Sequence, residues 1–333
     1  MPSLARPAPH SRVNVAIIHP APPGIQSGNR VTAVRWAGLM RELGCQVSVD
    51  HEWSGQPCDA MVALHAGKSE PSIRRFHDAH PDRLLIVAGT GTDIYGETGP
   101  TPQARAGLEL ASHIVVLQPN ALESLPEAVR TKGRVIYQSA RVPQQTGRPD
   151  PERFDVVVVA NLRTIKDPLR AARAARLMPA DSRLHVFHVG GVLDDEVSRL
   201  VREEAASNPR YTFLGLLDHA ATLERIARSR LLVNTSFDEG GANVISEALA
   251  LGVALLCSRI PGSTGLLGTD YAGLYPAGDE IALRDLFQRA ETDPTFLAHL
   301  QQQSAQRAWI TEPKLELAAW REILDPKESP AGS

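Results

Sequence analysis

The sequence predicts an α/β protein made of two doubly wound, Rossmann-like halves facing a central cleft. Three observations carry this. Short apolar runs recur along the 333 residues, each followed by a loop and a stretch of helical periodicity, the pattern of a parallel sheet covered by helices. The pattern restarts once, after an aperiodic stretch from Arg141 to Arg153 that holds Pro143, Pro149 and Pro151. The chain is also long enough, at 43% hydrophobic composition, to build two cores. The expected units are residues 12–142, residues 153–310, and a closing helix over 311–325 that packs back across both.

In the first half, Val13 to His19 is a buried-strand run ended by the rigid PAPPG of Pro20 to Gly24. After Gly28, Asn29 and Arg30, the apolar residues Val31, Val34, Leu39 and Leu43 predict one helix face, and Gly44 ends the helix. Strands follow at Gln46–Val49 and Ala60–Leu64, then a polar helix from about Ser69 to His80. Leu84–Ala88, Ile114–Leu117 and Arg134–Tyr137 complete the strands, with a helix at Gln103–Ala111.

The second half opens with the buried run Phe154 to Ala160. A helix is expected over Pro168–Leu177, with Asp167 as its cap and Pro168 in its first turn. Strands His185–Val189 and Tyr211–Leu214 flank a charged helix from Asp194 to Ala206, and a helix over Ala221–Arg228 leads to the strand Leu231–Val233. The helix built on Val244, Ile245, Ala248, Leu249 and Leu251 stops at Gly252, before a strand over Val253–Cys257. Beyond Gly262 the pattern loosens to a helix near Ile281–Thr292 and a last helix marked by Leu315, Leu317, Trp320 and Ile323; the tail beyond Asp325 is expected to be disordered.

A formal net charge of −3 and a pI near 6.4 argue against nucleic acid or an anionic membrane as partner. No run reaches the length of a membrane span, and the Pro-rich start, expected to be frayed, lacks the apolar core of a secretory signal. Three cysteines, Cys45, Cys58 and Cys257, show no metal-ligand spacing; Cys45 and Cys257 read as buried free thiols of a reducing cytoplasm. No acidic residue precedes Glu42, so a ligand of that first segment is expected to be anionic.

The chemistry-bearing residues fall at the carboxyl ends of the expected strands, where doubly wound sheets bind ligands. In the turn DEGG and the helix after it stand Glu239 and, seven intervening residues later, Glu247; Asn243 lies four before Glu247 and on the same helix side. The amides of Gly240, Gly241 and Ala242 are open to an anion or a sugar hydroxyl, at the electropositive start of the helix. After the first strand of this half come Asn161, Arg163 and Lys166, a planar fork and a point charge suited to a diphosphate. Gly190 and Gly191 either admit a nucleotide or make a plain tight turn. In the first half the strand ends offer Gly28, Asn29 and Arg30, then His65 with Lys68, then Thr90, Thr92 and Asp93. Arg30, Thr90 and Thr92 suit an anionic group, and His65 is either a base or hydrogen-bond donor or an ordinary strand-end histidine. No Asp-x-Asp triple is present, so no metal-bridged diphosphate is expected and the cations take that duty.

The segment EGGANVISEALALG, with Glu239 and Glu247 so spaced, resembles the signature of family 4 glycosyltransferases with the GT-B fold. Together with PAPPG and GNRVTAVRWAGLMRELG, CDAMVALHAGKS, GTGTD and IVVLQP, it is similar to the selenosugar synthases of selenoneine biosynthesis, over about Val13 to Trp320. The resemblance implies transfer of a sugar, chiefly from UDP-N-acetylglucosamine, to the selenium of selenophosphate, giving a 1-selenosugar once phosphate leaves. It implies a diphosphate on Arg163, Lys166 and the amides of Gly241 to Asn243, ribose on Glu247, sugar hydroxyls on Glu239, and acceptor held by Arg30 and the Thr90–Asp93 loop. It implies no cofactor beyond the UDP-sugar, a cytoplasmic enzyme, and a pathway neighbour that uses the selenosugar. A selenium nucleophile needs no strong base, which leaves either reading of His65 open. Alternatives are a GT-B enzyme for thiophosphate, a thiol or a hydroxyl compound, and a nucleotide-sugar epimerase or binding protein. A dinucleotide oxidoreductase is disfavoured because PAPPGIQSGNR stands where Gly-x-Gly-x-x-Gly belongs.

Overall fold

The computed structural model describes residues 13–22, 27–95 and 99–324. The expected frayed start, the outer boundaries at residues 12 and 325, part of the PAPPG turn and the tail lie outside the described residues. In chain order the first lobe holds β1 (Asn14–Ile18), α1 (Gly28–Glu42), β2 (Gln46–Asp50), β3 (Ala60–Leu64), α2 (Glu70–Ala79), β4 (Leu84–Gly89), α3 (Pro102–Leu110), β5 (His113–Val116), α4 (Asn120–Ser124), α5 (Glu127–Arg130) and β6 (Gly133–Val135). The second holds β7 (Phe154–Val159), α6 (Arg170–Arg176), β8 (Leu184–Val189), α7 (Asp195–Ser207), β9 (Tyr211–Gly215), α8 (His219–Ala227), β10 (Leu231–Asn234), α9 (Asn243–Ala250), β11 (Ala254–Ser258), α10 (Pro261–Leu267), β12 (Leu274–Tyr275), α11 (Glu280–Thr292) and α12 (Pro294–Arg307). A final helix, α13 (Pro313–Leu324), follows.

The two sheets are parallel throughout, in the orders β2-β1-β3-β4-β5-β6 and β12-β11-β10-β7-β8-β9. Their strand order reverses at β1/β3 and at β7/β10, and a crevice opens beyond the carboxyl ends of strands at such switch points. Central strands are buried on both faces, which is why AMVAL and VVV read as continuous apolar runs. In the first lobe, alternation splits β1 between two cores. Val15 and Ile17 pack with α1 and α13, whereas Ala16 and Ile18 pack with α2 and α3.

The last helix therefore closes the first lobe, although it follows the second in sequence. Trp36 of α1 and Trp320 of α13, both fully buried, meet edge to face with ring centroids 4.7 Å apart. The expected faces of these helices hold in part: Leu39 on α1 and Trp320 and Ile323 on α13 are buried, and Leu43 and Leu317 pack against the same core, but the other members are not buried. On α1, Val31 and Val34 are 38% and 56% exposed, and the buried stripe is Ala33, Trp36, Ala37 and Met40. On α13, Leu315 is exposed and Glu316, Trp320 and Ile323 are buried. Spacings of three and four residues, 316, 320 and 323, hold one helix side better than 315 and 317 do, and the carboxylate lies on the buried side because it has partners there.

Three further corrections concern local chemistry. Asp167 does not cap a helix: its backbone is left-handed at φ 43°, its carboxylate accepts from Arg170 Nε at 2.7 Å, and α6 starts only at Arg170. Cys45 is half-buried, whereas Cys58 and Cys257 are buried, and all three are free thiols. The segment read as loose after Gly262 contains α10 and α12, whose Pro261 and Pro294 each sit in a first turn.

Truncating Trp320 removes the aromatic wedge that joins α13 to α1. Trp320→Ala is expected to cost about 3–5 kcal/mol, read as a lower urea midpoint; an unchanged midpoint would detach α13 from the first lobe's core.

Candidate active site at the seam between the lobes

The loop from β10 to α9 carries Asp238, Glu239, Gly240 and Gly241, and it is pressed against the first lobe. A Cβ on Gly240 would lie 2.4 Å from the carbonyl carbon of Thr90, so only glycine allows the two backbones to meet here. The Gly241 carbonyl accepts from Gln138 Nε2 at 3.0 Å. Ala242 occupies the α9 N-cap without a side chain able to cap it, and among the described residues no protein group accepts from the amides of Gly241, Ala242 or Asn243. Three donors thus remain at the electropositive end of a helix, beside the β7/β10 switch point.

Asn243 is tied to α1 rather than left facing solvent. Its Oδ1 accepts from Arg35 Nη1 at 2.6 Å, and its Nδ2 donates to Thr32 Oγ1 at 3.3 Å. Arg35 also donates to Gln138 Oε1 at 3.0 Å and to both oxygens of Glu316 at 3.2 and 3.3 Å. Glu316, 2% exposed, accepts in addition from Trp36 Nε1 at 2.7 Å and from the amide and hydroxyl of Ser139. Gly28, at the start of α1, lies across from Asn243, so the first turn of α1 with Asn29 and Arg30 stands beside the start of α9. Ser27 caps α1 by accepting from the Arg30 amide at 3.2 Å.

At the β7 carboxyl end, Asn161 Oδ1 accepts from the Gly191 amide at 2.8 Å and binds two strand-end loops together. A Cβ on Gly190 would come within 1.9 Å of the Ala160 carbonyl oxygen, so Gly190 is required by this strand-to-strand approach. The fully buried His188 supports the same carbonyl through Nε2 at 2.8 Å, and its Nδ1 meets the Tyr211 hydroxyl at 2.7 Å. Arg163 is exposed and, among the described residues, makes no ion pair. Lys166 and Glu239 form an ion pair, and Glu239 also accepts from Ser236 Oγ at 2.8 Å. Glu247 does not join them: its Oε1 accepts from His219 Nε2 at 2.9 Å, toward α8.

Across the cleft, His65 ends β3 with a left-handed backbone, φ 68°, an uncommon conformation for a residue other than glycine. Its Nδ1 accepts from the Lys68 amide at 3.2 Å, which places the proton on Nε2, 3.3 Å from Thr92 Oγ1. Burial lowers its basicity, Asp93 opposes, and Lys68 and Arg163 lower it further, so the imidazole is neutral at neutral pH. Asp93, 1% exposed, accepts from the amides of Ala66 at 2.8 Å and Thr90 at 3.0 Å, which makes it the tie between the β3 and β4 loops. Thr92 is exposed and Thr90 half-buried. Burial pushes the Asp238 carboxyl up to about 6, with Glu239 and Asp93 adding and Lys166 opposing.

The structure thus gathers Lys166, Glu239 and the Gly240–Asn243 amides at one switch point, faces them with His65, Thr90 and Thr92, and sets Glu247 one helical turn further along α9. The sequence reading missed Arg35, Gln138 and Glu316 as the ties of the seam, and His219 as the partner of Glu247. Only Glu316 had a signal, an acid in helical phase with Trp320 and Ile323. Among the described residues no three His, Cys, Asp or Glu side chains gather as metal ligands, and no helix is long and apolar enough to cross a membrane.

The model of the family "Glycosyl transferases group 1" matches residues 140–307, half of this chain, and the chain belongs to that family. A glycosyltransferase 1 domain-containing protein 1 from Xenopus tropicalis is 24% identical over 185 residues, covering 55% of this chain and 52% of that protein. The chain thus spans about half the length of the curated relative it matches. Among solved structures, Anabaena Alr3699/HepE in complex with UDP and glucose superposes with a TM-score of 0.72 at 15% identity, over 95% of this chain and 99% of that one. Sucrose-phosphate synthase (tll1590) from Thermosynechococcus elongatus superposes with a TM-score of 0.74 at 15% identity, over the same shares of the two chains. The two facing parallel-sheet lobes are the GT-B fold of these glycosyltransferases.

The glycine seam is open to direct test. Gly240→Ala is expected to leave both lobes folded by circular dichroism but to hold them apart, seen as a larger radius of gyration in solution scattering. An unchanged radius would mean that the β10–α9 loop does not set lobe approach.

Proposed function

We propose that this chain is a UDP-sugar-dependent glycosyltransferase of the selenosugar synthase type, moving N-acetylglucosamine or a related hexose to the selenium of selenophosphate. The observation that carries the donor half is the Lys166–Glu239 pair beside the start of α9, where among the described residues no protein group accepts from three amides, with Arg163 exposed on the loop after β7 and the neutral His65 across from them. A departing diphosphate accumulates negative charge, and cations with fixed amide dipoles aimed at it lower the barrier without rearrangement. Solved structures of the same fold carry UDP, UDP with glucose, or UDP-glucose in the Anabaena protein, which supports the class of donor. Exposed Val192, Leu193, Leu214 and Leu216 crown the β8 and β9 ends beside Gly191, a platform for the flat face of a nucleobase.

In this reading the diphosphate lies on Arg163, Lys166 and the amides of Gly241 to Asn243, with Asn161 and Gly190 shaping the loops beneath it. Glu239, held by Lys166 and Ser236, takes the sugar hydroxyls, and Glu247 takes the ribose. No metal is invoked, since two cations supply the charge. The acceptor half rests on the motif resemblance and on the character of the first lobe. An acid-free first segment with Arg30 in the first turn of α1, and hydroxyls at Thr90 and Thr92, suits a small anion. A selenium nucleophile attacks the anomeric carbon as its own lone-pair donor, so His65 has only to donate a hydrogen bond through Nε2.

Arg163→Ala and Lys166→Ala are each expected to lower kcat by about 10²–10³, with chelator having no effect on the parent rate. Unchanged kinetics in both variants would remove the two cations from the site. The acceptor is tested by mass spectrometry of one mixture holding UDP-N-acetylglucosamine with selenophosphate, thiophosphate, a thiol and an alcohol. Selenosugar is expected to dominate; a sulfur or oxygen product overturns the selenium reading, and acceptor-independent turnover of the UDP-sugar favours an epimerase.

A further inference from the structure

Glu247 is the one charged residue of α9, in a helix otherwise composed of Asn243, Val244, Ile245, Ser246, Ala248, Leu249 and Ala250. Its side chain is only 13% exposed, and among the described residues the one group bonded to it is His219, whose Nε2 lies 2.9 Å from Oε1. His219 is the first residue of α8, and that helix start is fixed by Asp218, whose carboxylate accepts from the Ala221 amide at 2.8 Å. The imidazole itself is 63% exposed. An ion pair so exposed adds little to folding stability. Its effect is directional: with Oε1 engaged from α8, the remaining lone pairs of Glu247 keep one orientation.

We propose that His219 is a positioning residue of the donor site, holding the Glu247 carboxylate so that it receives the two ribose hydroxyls of the nucleotide. The inference rests on the reading of Glu247 as the ribose acceptor. A carboxylate already held in place loses less side-chain freedom when the nucleotide arrives, and preorganisation of this kind appears as affinity. Both oxygens of a freely turning glutamate could reach a single hydroxyl. A held one accepts from a vicinal pair and so separates ribose from its 2′-deoxy counterpart.

The same pair makes nucleotide affinity respond to pH, and the sign follows from the groups around the imidazole. The charged groups that face it are Glu247 from α9, Arg35 from α1 and Asp218 at the α8 cap. The bond to Glu247 raises its basicity above the ordinary histidine value, burial opposes, and of the two further neighbours Arg35 lowers and Asp218 raises it. Below that raised value the imidazolium grips the carboxylate; as pH rises through it the charge is lost, the grip weakens and UDP affinity falls.

Calorimetric titration with UDP and with 2′-deoxy-UDP, at about pH 6 and about pH 8.5, separates the possibilities. His219→Leu is expected to weaken UDP binding about tenfold while barely changing 2′-deoxy-UDP, and to abolish the pH response. His219→Gln retains an N–H donor without a titrating charge, so it is expected to recover most of the affinity and still show no pH response. A His219→Leu variant that binds both nucleotides as the parent does overturns the inference while the role of Glu247 stands. If Glu247→Gln also leaves UDP binding unchanged, the ribose reading falls and the positioning role falls with it. Equal weakening for both nucleotides by His219→Leu assigns His219 to general shape, against the proposal.

Discussion

A single buried carboxylate organises the relation between the lobes. Glu316 lies within an otherwise apolar contact between α13 and α1, and a carboxylate withdrawn from water is tolerated only where donors surround it. Its donors come from separate parts of the chain: Trp36 and Arg35 from α1, and Ser139 from the exit of the first lobe. Arg35 then spends its remaining N–H groups on Gln138 and Asn243, and Gln138 reaches the Gly241 carbonyl. The chain of bonds therefore runs from the last helix, through the first lobe, to the first turn of α9. Burial of the acid and placement of the anion-binding amides are consequences of one network, with the tryptophan pair supplying the apolar wall behind it.

Electrostatics inside the cleft are balanced but strained. Lys166 neutralises Glu239, yet burial, with Glu239 and Asp93 nearby adding to it, lifts the Asp238 carboxyl to about 6. Arg163, on the neighbouring loop of the same lobe, makes no ion pair among the described residues and lowers the basicity of His65. On the second lobe the Arg163 cation and the α9 dipole stand beside the paired Glu239 carboxylate, so one site offers a ligand both a positive and a negative partner. An anion entering the Arg163 side satisfies the first, and a neutral polyhydroxylated ring against Glu239 satisfies the second without adding charge. The division suits a molecule that is anionic at one end and hydroxyl-rich at the other.

Much of this was legible beforehand, and the misses follow a rule. Strands were legible because buried parallel strands must be apolar on both faces, and VNVAII, AMVAL and FDVVVV permit little else. Carboxyl-end residues such as Arg163, Lys166 and Glu239 could be picked out because the topology places all such loops on one crevice. Helix faces were less secure. On α1 the larger aliphatics Val31 and Val34 drew attention, whereas the buried stripe is built on Ala33, Trp36, Ala37 and Met40, small residues around one indole, because α13 must approach closely. Asp167 had every local mark of a cap before a proline, yet Arg170 pulls its carboxylate and the backbone turns left-handed. The ties of the seam were invisible for a stronger reason: Arg35 and Glu316 are 281 residues apart, and nothing local announces which distant group a charge will meet.

The glycines of the β10–α9 loop show how two demands on one residue are told apart. From sequence, Gly240 and Gly241 read as a way to let an anion reach backbone amides. The structure adds that the Cα of Gly240 faces Thr90 and that of Gly241 faces Leu117, in the first lobe. Side-chain absence is therefore spent on lobe approach, whereas the amides point to the free end of α9 by virtue of helix geometry. These functions are separable because a Cα and its N–H diverge. They are also coupled, because drawing the lobes together at Gly240 brings the His65 wall toward the α9 amides and expels water between them, and in that drier gap each charge–dipole contact strengthens. A glycine that touches no ligand can thereby govern how strongly its neighbours hold one.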